Sequence, residues 1–216
     1  MLFNLQSSNN IGHLILSQLR DAQIQMDRHR FRNNLRRLGS ILAYQLSHSL
    51  EYIDGSVETP LGVASTKALK NRVVIATILR AGLPMQEGVI EVFDEADAAF
   101  IAAYRKHHKD GTFKIRLDYL TCPDLEGCDL ILVDPMVATG ASTAKALEAM
   151  EPYGKPNSRH LITAVAANEG IEHLQRMTTD LNIWVGAIDE ELTAKSYIVP
   201  GLGDAGDLCF GPKLQS

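Results

Sequence analysis

The chain contains few cysteines and no long apolar run. Its cysteines, Cys122, Cys128 and Cys209, are three in number and include no closely spaced pair, so a zinc site is excluded and reduced, partly buried thiols are expected. No apolar run reaches the roughly 20 residues that span a bilayer. The amino terminus lacks the basic start and small-residue cleavage site of a signal peptide. We therefore expect a cytoplasmic location and no membrane partner.

A basic excess is also missing. Lysine and arginine together number 21 against 26 aspartates and glutamates, which gives a net charge of −5. Since nucleic-acid binding needs a basic surface, this balance argues against a nucleic-acid partner but not against a local pocket for a small anion. Besides the arginine-containing amino-terminal helix, the basic cluster to test against the structure is Lys67, Lys70 and Arg72.

Apolar runs alternate with helical segments over most of the 216 residues. This alternation predicts an α/β fold, a doubly wound and mainly parallel sheet covered on both faces. Near the amino terminus, apolar residues recur at spacings of three and four after Asp27, which predicts a capped helix, and a hairpin or flap follows it. We expect one domain over 1–216, with a helical and hairpin appendage at 1–70, a core at 71–196 and an irregular, Gly- and Pro-rich tail at 197–216.

One buried strand ends at an acid. The segment "ILVDPMVATGASTAKAL" runs from a strand into Asp134, then through small residues into a helix. Ligands of open parallel sheets bind beyond the carboxyl ends of the strands, and a helix start offers unpaired N–H groups to an anion. Thr139, Ser142 and Thr143 add hydroxyl donors. The pattern favours a sugar-phosphate site, and a simple capped helix is the alternative interpretation.

Three stretches resemble one family. "ILVDPMVATGAS" is similar to the phosphoribosyl-diphosphate (PRPP) binding signature of type I phosphoribosyltransferases, and its Asp-Pro-Met start resembles the uracil-specific branch. "ILRAGLPM", at 78–85, resembles the diphosphate-binding segment of that branch. "YIVPGLGDAGDLCFG", at 197–211, resembles its uracil-binding tail. The resemblance extends from about residue 30 to the carboxyl terminus.

The resemblance implies a role for each stretch. Arg80 and Arg105 are expected to contact diphosphate and, with Asp204, to act in catalysis. The PRPP site is expected to comprise these two arginines, Asp134, Pro135, Met136, Val137, Ala138, Thr139, Gly140, Ala141, Ser142 and Asp204. The uracil site is expected to comprise Tyr197, Ile198, Gly203, Asp204 and Ala205.

Two positions depart from the family pattern. Ala141 stands where a second glycine is common, and alanine there costs on the order of 1 kcal/mol if the backbone needs a positive φ. Pro135 replaces a second acid, so Mg²⁺ is expected to arrive with PRPP and to use Asp204 at most weakly.

The implied reaction is uracil plus PRPP giving UMP plus diphosphate, a pyrimidine salvage step. The resemblance also implies a homodimer or larger homo-oligomer, and in some relatives GTP as an effector. The hairpin near 51–64 and the segment after Tyr104 are expected to close the site. Two alternatives stay open: transfer to another base, and a nucleotide-sensing pyrimidine regulator on the same fold.

Overall fold

The computed structural model describes residues 1–107 and 113–214, with the backbone alone for 103–107 and 113–116. The strands are β1 (Leu2–Asn4), β2 (Tyr52–Thr59), β3 (Gly62–Leu69), β4 (Val73–Leu79), β5 (Asp97–His107), β6 (Phe113–Thr121), β7 (Asp129–Val133), β8 (Met136–Val137), β9 (Ser158–Ala167), β10 (Leu181–Asp189), β11 (Glu191–Leu192) and β12 (Ile198–Val199). The α-helices are α1 (Gly12–Arg20), α2 (Arg28–Ser47), α3 (Gly82–Ile90), α4 (Ala141–Met150), α5 (Asn168–Met177) and α6 (Ala205–Phe210). Short 3-10 turns occupy Leu5–Ser7, Ile24–Met26 and Glu151–Tyr153.

The central sheet has the order β1-β10-β9-β7-β4-β5-β6, and β8 pairs with β9 beside it. All of its pairs are parallel except β5 with β6, which is antiparallel. The mainly parallel sheet and the outer position of β6 confirm the predicted fold class. Because β4 lies between β5 and β7, the loops that follow β4 and β7 leave the sheet side by side.

Two apolar cores cover the two faces of the sheet. On β4, Val73 and Ile75 face one core, and the alternate residues Val74, Ala76 and Ile78 face the other. The first core includes residues of α1, α2 and α3, and the second includes residues of α4 and α5. Strands buried on both faces read as continuous apolar runs, which is why the sequence pattern locates them.

The amino-terminal region forms as its pattern predicts, with one addition. Asp27 caps α2 and accepts hydrogen bonds from the His29 and Arg30 N–H groups, at 3.0 and 3.1 Å. The added element is β1, which pairs in parallel with β10 and extends the sheet by one strand. No described helix has the length and apolar character that a bilayer crossing requires.

The predicted hairpin is a separate two-stranded ribbon of β2 and β3. All residues of β2, and all of β3 except Leu69, are exposed. The ribbon leaves the chain just before Val73, at the amino end of β4, whereas Arg80 follows the carboxyl end. The ribbon therefore starts at the edge of the sheet opposite to Arg80, and its closure over the site stays a prediction.

Candidate active site

The loops after β4 and β7 form one edge of the candidate site. Thr77 and Val133 are register partners, so Arg80 and Asp134 each begin a loop at the same sheet edge. The two loops approach closely at Gly82, where a Cβ would lie 3.0 Å from the Val133 carbonyl oxygen. The structure therefore places the two stretches that the sequence assigned to PRPP next to each other.

The loop after β7 is tied to β9. The Asp134 N–H donates to the Ile162 carbonyl at 3.1 Å, and the Pro135 carbonyl accepts from the N–H groups of Ala164 and Val165, each at 3.1 Å. Pro135 and Val137 are buried, whereas Asp134, Met136, Ala138 and Thr139 are half-buried. Pro135 and Val137 therefore offer little surface to a ligand, and the Pro135 carbonyl is already engaged.

Gly140 sets the shape of the phosphate loop. It has a φ of 76° and directly precedes α4. A Cβ at this position would lie 2.9 Å from the Gly170 carbonyl oxygen, so glycine is needed both for the backbone angle and for the approach to α5. Ala141 is the first residue of α4 and is not among the described residues with positive φ. The alanine therefore carries no penalty of that kind.

The hydroxyl groups of this loop do not all face the same way. The Thr139 Oγ1 accepts from the Ala141 N–H at 3.4 Å, and Ser142 is half-buried. Thr143 is 1% exposed. The expectation that Thr143 donates to the anion is wrong, because its side chain packs inside the protein.

The tail contains more regular structure than its glycines and prolines predict. β12 pairs with β11, and α6 follows Asp204, whose Oδ1 accepts from the Asp207 N–H at 3.0 Å. The sequence-based description of the tail as irregular is therefore wrong for 205–210. A six-residue helix between glycines is too short to give a periodic signal.

The predicted base contacts lie on both sides of a turn. Ile198 and Ala205 are buried, with exposures of 4% and 3%, whereas Tyr197 is 48% exposed. Gly203 has a φ of 90°, and a Cβ there would have open space on most sides. The tail thus presents backbone rather than polar side chains at most of the predicted base-contact positions.

Arg80 joins the diphosphate segment to the tail. Its Nη2 donates to the Asp207 Oδ1 at 2.7 Å, and its Nη1 donates to the Gly211 carbonyl at 3.2 Å. Sequence reasoning missed Asp207, although its spacing of three from Asp204 was a visible signal. It also missed Lys213, whose Nζ donates to the Asp204 Oδ2 at 3.0 Å.

The carboxyl group of Asp204 is held in its charged form. Burial raises the pKa of Asp204, but the Asp207 N–H and the Lys213 ammonium lower it by more, so the pKa lies below its ordinary value. An ionised carboxylate can accept hydrogen bonds from hydroxyl groups or act as a weak metal ligand. It is poorly suited to take a proton near neutral pH.

Arg105 lies on a strand and not in the polar loop that its sequence context suggests. The β4–β5 register ends at Leu79 opposite Ala102, and β5 continues beyond it in a ribbon with β6. The Arg105 backbone, opposite Ile115, therefore lies past the edge at which Arg80 begins its loop. The side chain of Arg105 is outside the described part of the structure.

The site offers carboxylates of a kind that bind Mg²⁺ together with phosphate oxygens. Across the described residues, no group of three or more His, Cys, Asp or Glu side chains could hold a metal. Mg²⁺ in phosphate sites is often bound by one or two carboxylates, with waters and phosphate oxygens completing its shell. Asp134 and Asp204 can supply such carboxylates.

Solved structures share this fold. The chain superposes on a hypoxanthine phosphoribosyltransferase from Staphylococcus aureus with a TM-score of 0.50 at 15% identity, over 74% of this chain and 76% of that one. This similarity shows the phosphoribosyltransferase fold. A protein from Aquifex aeolicus, AQ2163, matches over 99% of this chain and 100% of its own, with a TM-score of 0.88 and 28% identity.

Sequence comparisons identify a narrower group of proteins than the fold does. The uracil phosphoribosyltransferase family model matches residues 6–212. A uracil phosphoribosyltransferase from Porphyromonas gingivalis is 39% identical over 214 residues, which is 99% of both chains. Another from Thermococcus gammatolerans is 38% identical over 205 residues, 94% of this chain and 90% of the relative. The chain belongs to the uracil phosphoribosyltransferase family, enzymes that form UMP and diphosphate from uracil and PRPP.

Proposed function

We propose that the chain carries out this transfer at the edge formed by Arg80, the Asp134 loop and the tail. The observation that supports the assignment most directly is the position of Arg80. It follows β4 beside the phosphate loop and reaches α6 of the tail through Asp207. A sugar phosphate held by the loop therefore has the tail as its neighbour.

Each substrate meets chemistry that suits it. The phosphate and ribose of PRPP bind the loop at 134–142, where α4 begins and Asp134 can accept from sugar hydroxyls. Arg80 and Arg105 bind the diphosphate, for which a guanidinium fork is well matched. Uracil presents an acceptor, a donor and an acceptor along one edge, and main-chain N–H and C=O groups of Ile198, Gly203 and Ala205 complement them.

The reaction forms the bond between uracil N1 and C1 of the ribose and breaks the bond from C1 to the diphosphate oxygen, whose electron pair leaves with diphosphate. The N1–H bond also breaks, and the departing diphosphate is the acceptor for this proton. The arginines stabilise the charge that develops on the leaving group, and the tail holds N1 over C1. Mg²⁺, held by the substrate oxygens and weakly by Asp204, would supply positive charge to the leaving diphosphate. Because the pKa of Asp204 is lowered, we assign that residue to orientation rather than to removal of the N1 proton.

An amphipathic ribbon supports a homo-oligomer. On the β2–β3 ribbon, Ile53 and Val57 share a face with their register partners Ala68 and Ala64. Ile53 and Val57 are 51% and 49% exposed. A lone two-stranded ribbon is marginal in water, and its apolar face is self-complementary in chemistry. We assign this face to a second copy of the chain.

A pyrimidine-sensing RNA regulator is the weaker candidate. The basic cluster that would favour it is neutralised, because Lys67, Lys70 and Arg72 pair with Asp54, Glu51 and Asp97 at 3.0, 2.9 and 2.7 Å. GTP as an effector stays a prediction, which added GTP tests directly in the activity assay. The cytoplasmic location is supported by Cys122, Cys128 and Cys209, all of which are free thiols.

The test is formation of UMP by the purified chain from uracil, PRPP and Mg²⁺. Orotate, cytosine, hypoxanthine and adenine are offered separately under the same conditions. We expect UMP and diphosphate in equal amounts and no comparable turnover of the other bases. Turnover of a different base, with none of uracil, would reject the specificity.

A further inference from the structure

An ion pair holds the turn between β12 and α6. Asp189, the last residue of β10, accepts from the Gly201 N–H through its Oδ2 at 2.9 Å. Arg20, the last residue of α1, donates from its Nη1 to the Gly201 carbonyl at 3.1 Å. Both polar main-chain atoms of Gly201 are thus engaged by side chains from elements that are distant in sequence.

The two side chains also fix each other. Arg20 donates from Nη1 and Nη2 to the two oxygens of Asp189, each at 2.9 Å. The side chains are 20% and 6% exposed. The Arg20 Nε is buried with no hydrogen-bond partner among the described residues. Partly buried ion pairs lose much of their attraction to desolvation, so stability alone is a weak reason for this pair. The two parallel hydrogen bonds instead fix the orientation of the Arg20 guanidinium relative to the Asp189 carboxylate.

The conformation of Gly201 depends on contacts from other residues. Its φ is 58°, and a Cβ would collide with the Ile198 carbonyl oxygen. Glycine has the greatest backbone freedom and no side chain with which to pack. The residue lies between Ile198 and Gly203, two of the predicted base contacts. A movement of this one peptide unit would therefore shift both contacts relative to the ribose.

We propose that Arg20 and Asp189 are positioning residues of the uracil site. They hold Gly201 at its N–H and its carbonyl, and so set the spacing of the main-chain groups that receive the base. Neither side chain touches uracil in this arrangement. The inference rests on the proposed function, because it takes the tail as the base-binding element. It also gives α1, which packs in the first apolar core, a role in positioning the base.

The first experiment compares two aspartates at opposite ends of β10. Asp189→Asn removes the negative charge and leaves one oxygen acceptor for the three donors that Asp189 now receives, the two Arg20 Nη groups and the Gly201 N–H. Asp180→Asn is the matched control, because Asp180 precedes β10 and pairs with Arg159 at 2.8 Å, away from the tail. For Asp189→Asn we expect the KM for uracil to rise roughly tenfold while the KM for PRPP changes less than about twofold. The control is expected to change neither.

A second variant covers the case in which Asp189→Asn does not fold. Arg20→Lys keeps the charge beside Asp189 but cannot make the two-point contact and also reach the Gly201 carbonyl. We expect the KM for uracil to rise about threefold to tenfold, and UMP to bind more weakly while diphosphate affinity is unchanged. Thermal melts of all variants report stability separately.

The outcomes separate this inference from the proposed function. If the wild-type chain forms no UMP, the proposed function fails and the inference falls with it. If the wild type is active and the variants lose stability with an unchanged KM for uracil, the ion pair is structural and the inference alone is rejected. A parallel rise of both KM values would also reject it, since that result indicates general loosening.

Discussion

The Arg80 guanidinium and the Asp207 carboxylate form an ion pair across 2.7 Å, between the loop after β4 and the first turn of α6. The two residues are 127 positions apart in the chain. Their side chains are 39% and 34% exposed, so the pair adds little to stability. The Arg80 guanidinium, which we assign to diphosphate binding, is thus already paired with a carboxylate, and this carboxylate belongs to the tail.

Arg80→Ala is expected to raise the KM for PRPP by about tenfold to a hundredfold, the effect of losing a charged hydrogen bond to a bound anion. Initial rates at varied PRPP and saturating uracil measure it. Asp207→Asn is the matched control, since it removes the same ion pair but leaves the guanidinium. It should lower that KM by about twofold to fivefold, because the competing partner is an exposed pair of small energy. Equal losses in both variants would show that the pair only supports the fold.

Local pattern predicted most of the fold. The continuous apolar runs of β4, β7, β9 and β10 and the three-and-four spacing of α2 each carry their own signal. β1 carries none, because three residues show no period, and it is fixed by pairing with β10. The helix α6 was missed for the same reason. Its start depends on the Asp204 cap, which a Gly-rich context hides.

The family resemblance and the chemistry of the residues together predicted which segments form the site, but not which residues of these segments contact one another. Arg80 and the Asp134 loop were predicted, and strand order brings them together. The pairing of Arg80 with Asp207 and the clamp of Arg20 and Asp189 on Gly201 join residues far apart in the chain. Only the folded topology creates such contacts.

Ala141→Gly and Gly140→Ala are expected to behave in opposite ways. Ala141 is helical, so glycine there should leave the KM for PRPP unchanged and cost at most about 1 kcal/mol of stability. Alanine at 140 must adopt a positive φ, at about 1–2 kcal/mol, and must also displace α5 near Gly170. We expect a higher KM for PRPP from that variant alone. Urea unfolding and initial rates measure both effects, and a gain in PRPP affinity from Ala141→Gly would contradict the description of this loop.

Ile53→Ser combined with Val57→Ser is expected to weaken self-association. The two side chains supply the larger apolar groups on the face of the ribbon that also carries Ala64 and Ala68. Sedimentation velocity over a range of protein concentrations would show a shift toward monomer. The control is Ser56→Ala with Ser65→Ala, a register pair on the other face of the ribbon. If the wild-type chain is monomeric at all concentrations, or if the variants associate as the wild type does, the ribbon is not the interface between copies.

His160→Gln is expected to flatten the acid dependence of stability. His160 is 2% exposed. Its Nδ1 accepts from the Trp184 Nε1 at 3.2 Å, and its Nε2 lies 2.8 Å from the Ser158 Oγ, which donates to Asp129. Burial lowers the pKa of His160 from 6.5 to about 4, although nearby Asp129 acts in the opposite direction. The imidazole is therefore neutral in the folded chain at neutral pH.

The sign of the pH effect follows from proton binding. Between pH 6.5 and about 4 the unfolded chain binds a proton at His160 that the folded chain does not, so stability falls as the pH is lowered through this window. The loss approaches about 3 kcal/mol at its lower end, at 1.36 kcal/mol per pKa unit. Glutamine can accept from Trp184 and donate to Ser158 without titrating. Chemical unfolding from pH 7 to pH 4.5 measures the slope, with exposed His13→Gln as control. An unchanged slope in His160→Gln would assign the acid sensitivity to other groups.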